Sequence, residues 1–319
     1  MRKLLLTIIV LLCAPFGSVL AQQWPSKPIR FVLSFGPGSA SDALARIATQ
    51  ELTTLLGQPV VLIHKPGADG SISGIEVQRS APDGYTFLWG TNSALSVAPN
   101  MRKVPPYNVE TDFTPITFLG LNTLFFVVHP SVPAKTIAEL VAHAKANPGK
   151  LNAATGNTFA IVSNGLFSKH NGITLETIPY KSEPEAIIDL LSGRVHMIIG
   201  TSTPLMGHIK GGKLRALSTA LAERSPLLPD VPSLTEAGQP KFPFDPWFAL
   251  VGPAGVPTEI VERLNQAMAT VLAKPTVVDL MNQQGFIPRS STPQWATAYI
   301  KQQFAIWKQA LHDAGIEPQ

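Results

Sequence analysis

Apolar positions along the chain come in short blocks separated by Gly, Pro, Ser and Asn, and the blocks alternate between two periods. Ile29 to Phe35 is a continuous run of β-formers cut by Gly36-Pro37-Gly38, which reads as a buried strand entering a turn. Ser39, Ser41 and Asp42 are all N-cap types. Beyond them Leu44, Ile47, Ala48, Leu52, Leu55 and Leu56 share one helical face, which predicts a helix over 40–56 ending at Gly57. The alternation continues with a strand at 60–64, a helix at 71–80 and a strand at 85–89. Such a series builds a mostly parallel sheet with helices on both faces. Right-handed crossovers then bring the strand C-termini to one edge.

Residues 99–112 are polar and broken by proline, and two apolar runs follow at 116–119 and 124–128. These read as a strand passing from one domain to the next. A second series places helices at 135–146, 160–170 and 183–192 and strands at 151–154, 174–178, 195–199 and 214–219. After the irregular, proline-rich stretch 225–246, Trp247 to Val251 reads as the return crossing. Helices at 258–273, after Pro275 and over 293–314 complete the chain. The expectation is an α/β protein of two domains, 22–122 with 252–319 and 123–251.

The first residues break this pattern. Arg2-Lys3, an apolar run from Leu4 to Cys13 and the small-residue site Val19-Leu20-Ala21 form a secretory signal peptide over 1–21. It is cleaved near Ala21, and its apolar run is too short for a membrane span. Leu12 stands before Cys13, where a lipoprotein signal needs a small residue, so simple cleavage is expected. Loss of Arg2 and Lys3 takes the formal charge from +4 to +2, and the only cysteine goes with them. A mature chain with no thiol and no disulfide fits the bacterial periplasm. With 45% hydrophobic and 14% charged residues the chain packs rather than staying disordered. No Lys/Arg stripe stands out, which argues against a nucleic-acid partner.

Four strand-end loops, 36–42, 90–93, 155–158 and 200–203, are rich in Gly, Ser, Thr and Asn, and Asp42 is their only charged residue. A glycine turn feeding a helix start offers backbone N–H groups and the positive end of a helix dipole, which together seat an anion. Such loops grip a carboxylate and supply no proton-transfer group; they also read as ordinary capped turns. Gly36-x-Gly38-x-x-Ser41 nearly matches a dinucleotide fingerprint, but its third position is Ser and the second strand ends in His64-Lys65 rather than an acid. No G-x-S-x-G elbow occurs, and the seven histidines show no metal-ligand spacing. No catalytic residue, metal or cofactor is therefore assigned. An exported serine hydrolase using Ser39 or Ser163 is the alternative from another class, with no base placed for either. Phe35, Trp89, Phe159 and Trp247 lie at or beside strand ends, where they either pack in the core or line a pocket and stack on a flat ligand. Lys181 is either a solvated surface residue or the holder of a carboxylate.

Ordered short motifs run along the whole mature chain. They include Trp24-Pro-Ser-Lys-Pro-Ile-Arg30, Gly-Pro-Gly-Ser-x-Ser-Asp42, Leu56-Gly-Gln-Pro-Val60, Lys65-Pro-Gly-Ala68 and Ala81-Pro-Asp-Gly-Tyr-Thr86. Further on come Asp112-Phe-Thr-Pro-Ile116, Ile178-Pro-Tyr-Lys181, Pro253-Ala-Gly-Val-Pro257 and Ala314-Gly-Ile316. Together they resemble the Bug-type solute receptors of tripartite tricarboxylate transporters. The resemblance implies a type II periplasmic binding-protein fold, with two β/α domains joined by crossing hinge strands around a ligand cleft. It implies a monomeric periplasmic receptor, not an enzyme. Such a receptor captures a small carboxylate, an aliphatic di- or tricarboxylate or an aromatic carboxylate, and delivers it to integral-membrane transporter subunits. A ligand-sensing receptor for a membrane signalling partner would share the same fold and site.

Carried onto this chain, the clamp is formed by 36–42 and 155–163, with 90–93 and 200–203 beside them. The candidate ligand-binding residues are Gly36, Gly38, Ser39, Ala40, Ser41, Asp42, Trp89, Thr91, Asn92, Ser93, Thr155, Asn157, Thr158, Phe159, Ser163, Thr201 and Ser202. Two loops depart from the family pattern. Gly36 to Asp42 replaces the usual Pro-Pro-Gly-Gly before Ser/Thr-x-Asp, and Asn157 to Ile161 is bulkier and more apolar than the usual continuation.

Overall fold

The computed structural model describes residues 24–319; the signal sequence read over 1–21 lies outside them. The first series gives β1 (Ile29–Leu33), α1 (Ala40–Leu56), β2 (Val60–His64), α2 (Ser71–Gln78) and β3 (Thr86–Thr91). After β3 the chain makes a π-helical turn over Ser93–Val97, runs into α3 (Ala98–Asn100), and enters the long strand β4 (Phe113–Asn122) and then β5 (Leu124–Val128). The second series is α4 (Ile137–Ala146), β6 (Asn152–Thr155), α5 (Thr158–Asn171), β7 (Glu176–Pro179), α6 (Glu183–Leu191), β8 (Met197–Thr201), α7 (Ser202–Lys210) and β9 (Arg215–Thr219). The chain closes with β10 (Trp247–Pro253), α8 (Thr258–Ala273), α9 (Pro275–Gln283), β11 (Phe286–Pro288) and α10 (Pro293–Asp313).

The strands form two sheets, ordered β11-β4-β10-β3-β1-β2 and β7-β6-β8-β5-β9. β1 pairs parallel with β2 and β3, and β6 pairs parallel with β7 and β8. The strands that leave and re-enter the first sheet, β4 and β10, pair antiparallel with each other, and β5 pairs antiparallel with β8 and β9. The crossings expected at 116–128 and 247–251 are therefore strands. The helix expected over 71–80 is α2, preceded by a 3₁₀ turn at Ala68–Gly70. Two features lie outside the expected elements. The turn Ser93–Val97 is fully buried. β11 has only three residues, too few to carry a period.

Alternation along β3 sends Phe87 and Trp89 to one face, into the core shared with α1 and α8, and Leu88 to the other. A separate core under the second sheet is built from Phe126, Val128, Phe167, Met197 and Ile199. The last helix serves both sheets. Ile300, with Tyr299 and Phe304, packs in the core with Trp247, Ala249 and Val251. One turn on, Trp307, Ala310 and Leu311 belong to the core of the second sheet. Trp307 stacks on Phe244 with centroids 3.8 Å apart. Among the described residues, no helix is long and apolar enough to cross a membrane.

Candidate functional site

The strand ends of the two sheets face each other across a cleft. Its inner part is a cavity of about 50 Å³, and a wider outer cleft of about 630 Å³ shares Phe35, Ser93, Gly156, Asn157 and Ser182 with it. The inner volume holds only a few water molecules' worth of material, so it suits a compact group. Apolar side chains of Phe35, Leu124, Phe159, Pro246 and Phe248 make much of its wall.

On the side of the first sheet, Ser39 caps α1. Its backbone is extended and its hydroxyl accepts the Asp42 N–H at 3.2 Å while donating to the Gly36 carbonyl at 2.8 Å. Gly38 sits at φ +80, a left-handed conformation that a side chain resists, and this lets the loop turn into the helix. Helix geometry leaves the N–H groups of Ala40 and Ser41 without intrahelical acceptors at the positive end of the dipole. Four buried cavity-lining residues add side chains that lack hydrogen-bond partners among the described residues: Ser41 Oγ, Thr91 Oγ1, Asn92 Nδ2 and both amide atoms of Asn122. Buried polar groups are normally paired, so this cluster is a set of contacts available to a ligand.

The side of the second sheet is different, because Asn157 and Thr201 already share a partner in Glu183. Glu183, at the start of α6, lies on the cavity wall with 6% of its surface exposed. Its Oε1 accepts from Asn157 Nδ2 at 2.5 Å and from Thr201 N at 3.0 Å, and its Oε2 pairs with Thr201 Oγ1. Burial pushes the Glu183 carboxyl above the usual range, against the lowering effect of these bonds. Gly156 makes the approach possible, because a Cβ there would lie 2.5 Å from both Cα and N of Glu183. Between the two sides, Thr158 Oγ1 donates to Ser93 Oγ at 2.6 Å.

Residues 44–316 match the profile described as the tripartite tricarboxylate transporter family receptor. The chain belongs to this receptor family. Among relatives of the receptor, BugT of Bordetella pertussis is 33% identical over 319 residues, covering 98% of this chain and 97% of its own. The periplasmic binding protein BugD superposes with a TM-score of 0.87 at 30% identity, over 93% of this chain and 100% of its own. An R. palustris protein solved with adipate gives a TM-score of 0.89 at 29% identity, over 93% of this chain and 100% of its own. MatC from Rhodopseudomonas palustris, solved with malate, gives 0.84 at 25%, over 90% and 99%. The two-sheet α/β architecture expected from the motifs is that of these periplasmic binding proteins.

In this receptor the residues named from sequence separate into groups. Ser39, Ala40, Ser41, Thr91, Asn92, Ser93, Asn157, Phe159 and Thr201 line the inner cavity, and Gly36, Thr155 and Thr158 line the outer cleft together with Lys181. Gly38, Asp42, Trp89, Ser163 and Ser202 line neither. Asp42 turns back into its own loop, accepting from Gly38 N at 3.1 Å, from His64 Nε2 at 2.8 Å and from Arg46 Nε at 3.0 Å. Trp89 is fully buried with its ring 6.0 Å from Phe31, so it packs in the core and does not stack on a ligand. Thr91, two residues on and on the same face, reaches the cleft instead. Ser163 is buried within α5, and the Ser202 hydroxyl donates to the Gln284 carbonyl at 2.7 Å. Phe159 faces the cavity but is held edge-to-face against Phe244 and Trp307 at 5.1 and 5.9 Å.

Sequence reasoning missed Asn122, Glu183 and Phe248. Asn122 and Phe248 lie in the crossing strands, read only for their apolar pattern. Glu183 follows Ser182 at a helix start, where an acid is ordinary dipole chemistry and nothing local marks it as buried.

Proposed function

We propose that the receptor captures a small organic carboxylate between two lobes, 22–122 with 252–319 and 123–251, and hands it to integral-membrane transporter subunits in the periplasm. On this reading residues 1–21 are the export signal. The observation that carries the proposal is the set of buried groups of Ser41, Thr91, Asn92 and Asn122 that have no partner among the described residues, beside the α1 N-terminus. Hydroxyl, amide and backbone N–H donors around an apolar cavity stabilise a carboxylate without a formal cation. The adipate and malate held by two structural relatives support the same chemistry. The Ser39 hydroxyl is committed to the Gly36 carbonyl and the Asp42 N–H, which favours binding over a nucleophilic role.

Closure around the ligand draws its free energy from contacts made only in the closed form. A thermal-shift screen of carboxylates paired with their neutral amides tests this. A carboxylate at 100 times its Kd adds about 2.7 kcal/mol of stability, and its amide adds far less. No shift with any carboxylate, or equal shifts for acid and amide, counts against the reading.

A further inference from the structure

The two walls of the inner cavity are not equivalent. On the first-sheet wall, Ser41, Thr91, Asn92 and Asn122 have polar atoms with no partner among the described residues. On the second-sheet wall, two donors of cavity-lining residues, Asn157 Nδ2 and the Thr201 N–H, both end on Glu183 Oε1. The other amide atom of Asn157 is also committed, since its Oδ1 accepts the Ala160 N–H at 2.8 Å as the cap of α5. Thr201 is in turn the N-cap of α7, and Glu183 is the first residue of α6. One carboxylate thus sits where three helix starts converge. Among the described residues it has no Lys, Arg or His within salt-bridge distance.

We infer that Glu183 fills the anion seat of the second wall with the chain's own carboxylate, so that the receptor selects compact monocarboxylates with an uncharged body over dicarboxylates. The inference rests on the carboxylate-receptor reading above and narrows its ligand class. It holds for either protonation state of Glu183. Ionised, the side chain repels a second ligand carboxylate brought beside it, an unfavourable like-charge contact in a buried site. Neutral, it still occupies Asn157 Nδ2 and the Thr201 N–H with Oε1, so those two donors stay withheld from a ligand anion. Gly156 builds the seat, because only a residue without a Cβ admits the Glu183 backbone there. The apolar remainder of the cavity, from Leu124, Phe159 and Phe248, suits a hydrocarbon body and gives a second charge no compensation.

The test is calorimetric titration with chain-matched pairs, butyrate against succinate and valerate against glutarate, on the wild-type receptor and on Glu183→Ala. Wild type should bind the monocarboxylate of each pair at least tenfold more tightly. Glu183→Ala releases Asn157 Nδ2 and the Thr201 N–H, and should shrink that preference at least tenfold, chiefly by gaining affinity for the dicarboxylate. Parity or dicarboxylate preference in wild type overturns the inference whether or not the variant folds. A folded variant with an unchanged ratio overturns the role given to Glu183. Failure of every carboxylate to bind wild type removes the receptor reading itself and this inference with it, whereas dicarboxylate binding at parity removes the inference alone.

Discussion

Thr158→Val tests whether the two walls meet only when ligand is held. The Thr158 hydroxyl donates to Ser93 Oγ at 2.6 Å, and both residues are buried. Valine keeps the shape and removes the donor. A neutral hydrogen bond of this kind contributes about 0.5–1.5 kcal/mol net, and the Ser93 hydroxyl left unpaired in a buried site costs about 1–3 kcal/mol. In an open receptor both hydroxyls are hydrated and neither effect operates. If the bond belongs to the closed form, the whole loss appears in binding, as a rise in Kd of roughly 5- to 150-fold. The unliganded melting temperature should stay near that of wild type. The double variant Ser93→Ala/Thr158→Val leaves no orphaned hydroxyl and should bind no worse than Thr158→Val alone, a coupling a double-mutant cycle isolates. Calorimetry on the four proteins reads all of this. An unchanged Kd with a lowered unliganded melting temperature would refute the reasoning, because it would place the bond in both forms.

Three further predictions address the supports of the site. Gly156→Ala should abolish or severely weaken ligand binding, since its Cβ would sit 2.5 Å from Glu183 backbone atoms that cannot step aside; a variant with wild-type Kd would show that the α6 start can move. At Asp42, burial works against the charged form, but bonds from Arg46, Gly38 and His64 outweigh it and hold the carboxyl below its usual range. Its folded pKa is depressed, so its contribution is complete above the unfolded value of about 3.9 and is lost as pH falls through the folded value. Asp42→Asn should therefore lower stability at neutral pH and flatten the acid limb of the stability profile below about pH 4, as measured by urea melts across pH; an unchanged acid limb would mean the bonds do not stabilise the charge. Phe159→Ala should cost about 3–5 kcal/mol of folding stability, because the ring is locked between Phe244 and Trp307, and a denaturation midpoint equal to wild type would sink that role.

Much of the fold was legible because its elements repeat one local rule. An apolar run, a small-residue loop and an amphipathic helix follow one another in both series, and the strand-end loops they imply do line the cleft at Ser39, Asn92, Asn157 and Thr201. The rest depended on what tertiary packing does to side chains of ordinary type. Trp89 beside a strand end looks the same whether its face is covered by α1 or open to the cleft, and only the sheet register decides. Asp42 carries the charge that suggests ligand contact, yet His64 and Arg46 draw it back into its own loop. Glu183 was hidden for the opposite reason: its position at a helix start is explained locally, so its burial beside Asn157 and Thr201 has no sequence signature. The turn at Ser93–Val97 and the three residues of β11 are too short or too irregular for any period to register.

The placement of α10 bears on how the two cores depend on each other. The first-sheet cores need Met281, Phe286 and Ile300, and the second-sheet core needs Trp307, Ala310 and Leu311 packed against residues as early as Val97 and Phe126. The final residue is tied in as well, for the Gln319 N–H donates to the Met101 carbonyl and the Gln319 carbonyl accepts from Lys103 N. Both interiors are thus completed by contacts distant in sequence, a topology that slows folding and leaves apolar surface open in partly folded states. Loss of α10 should open the two interiors together rather than one of them.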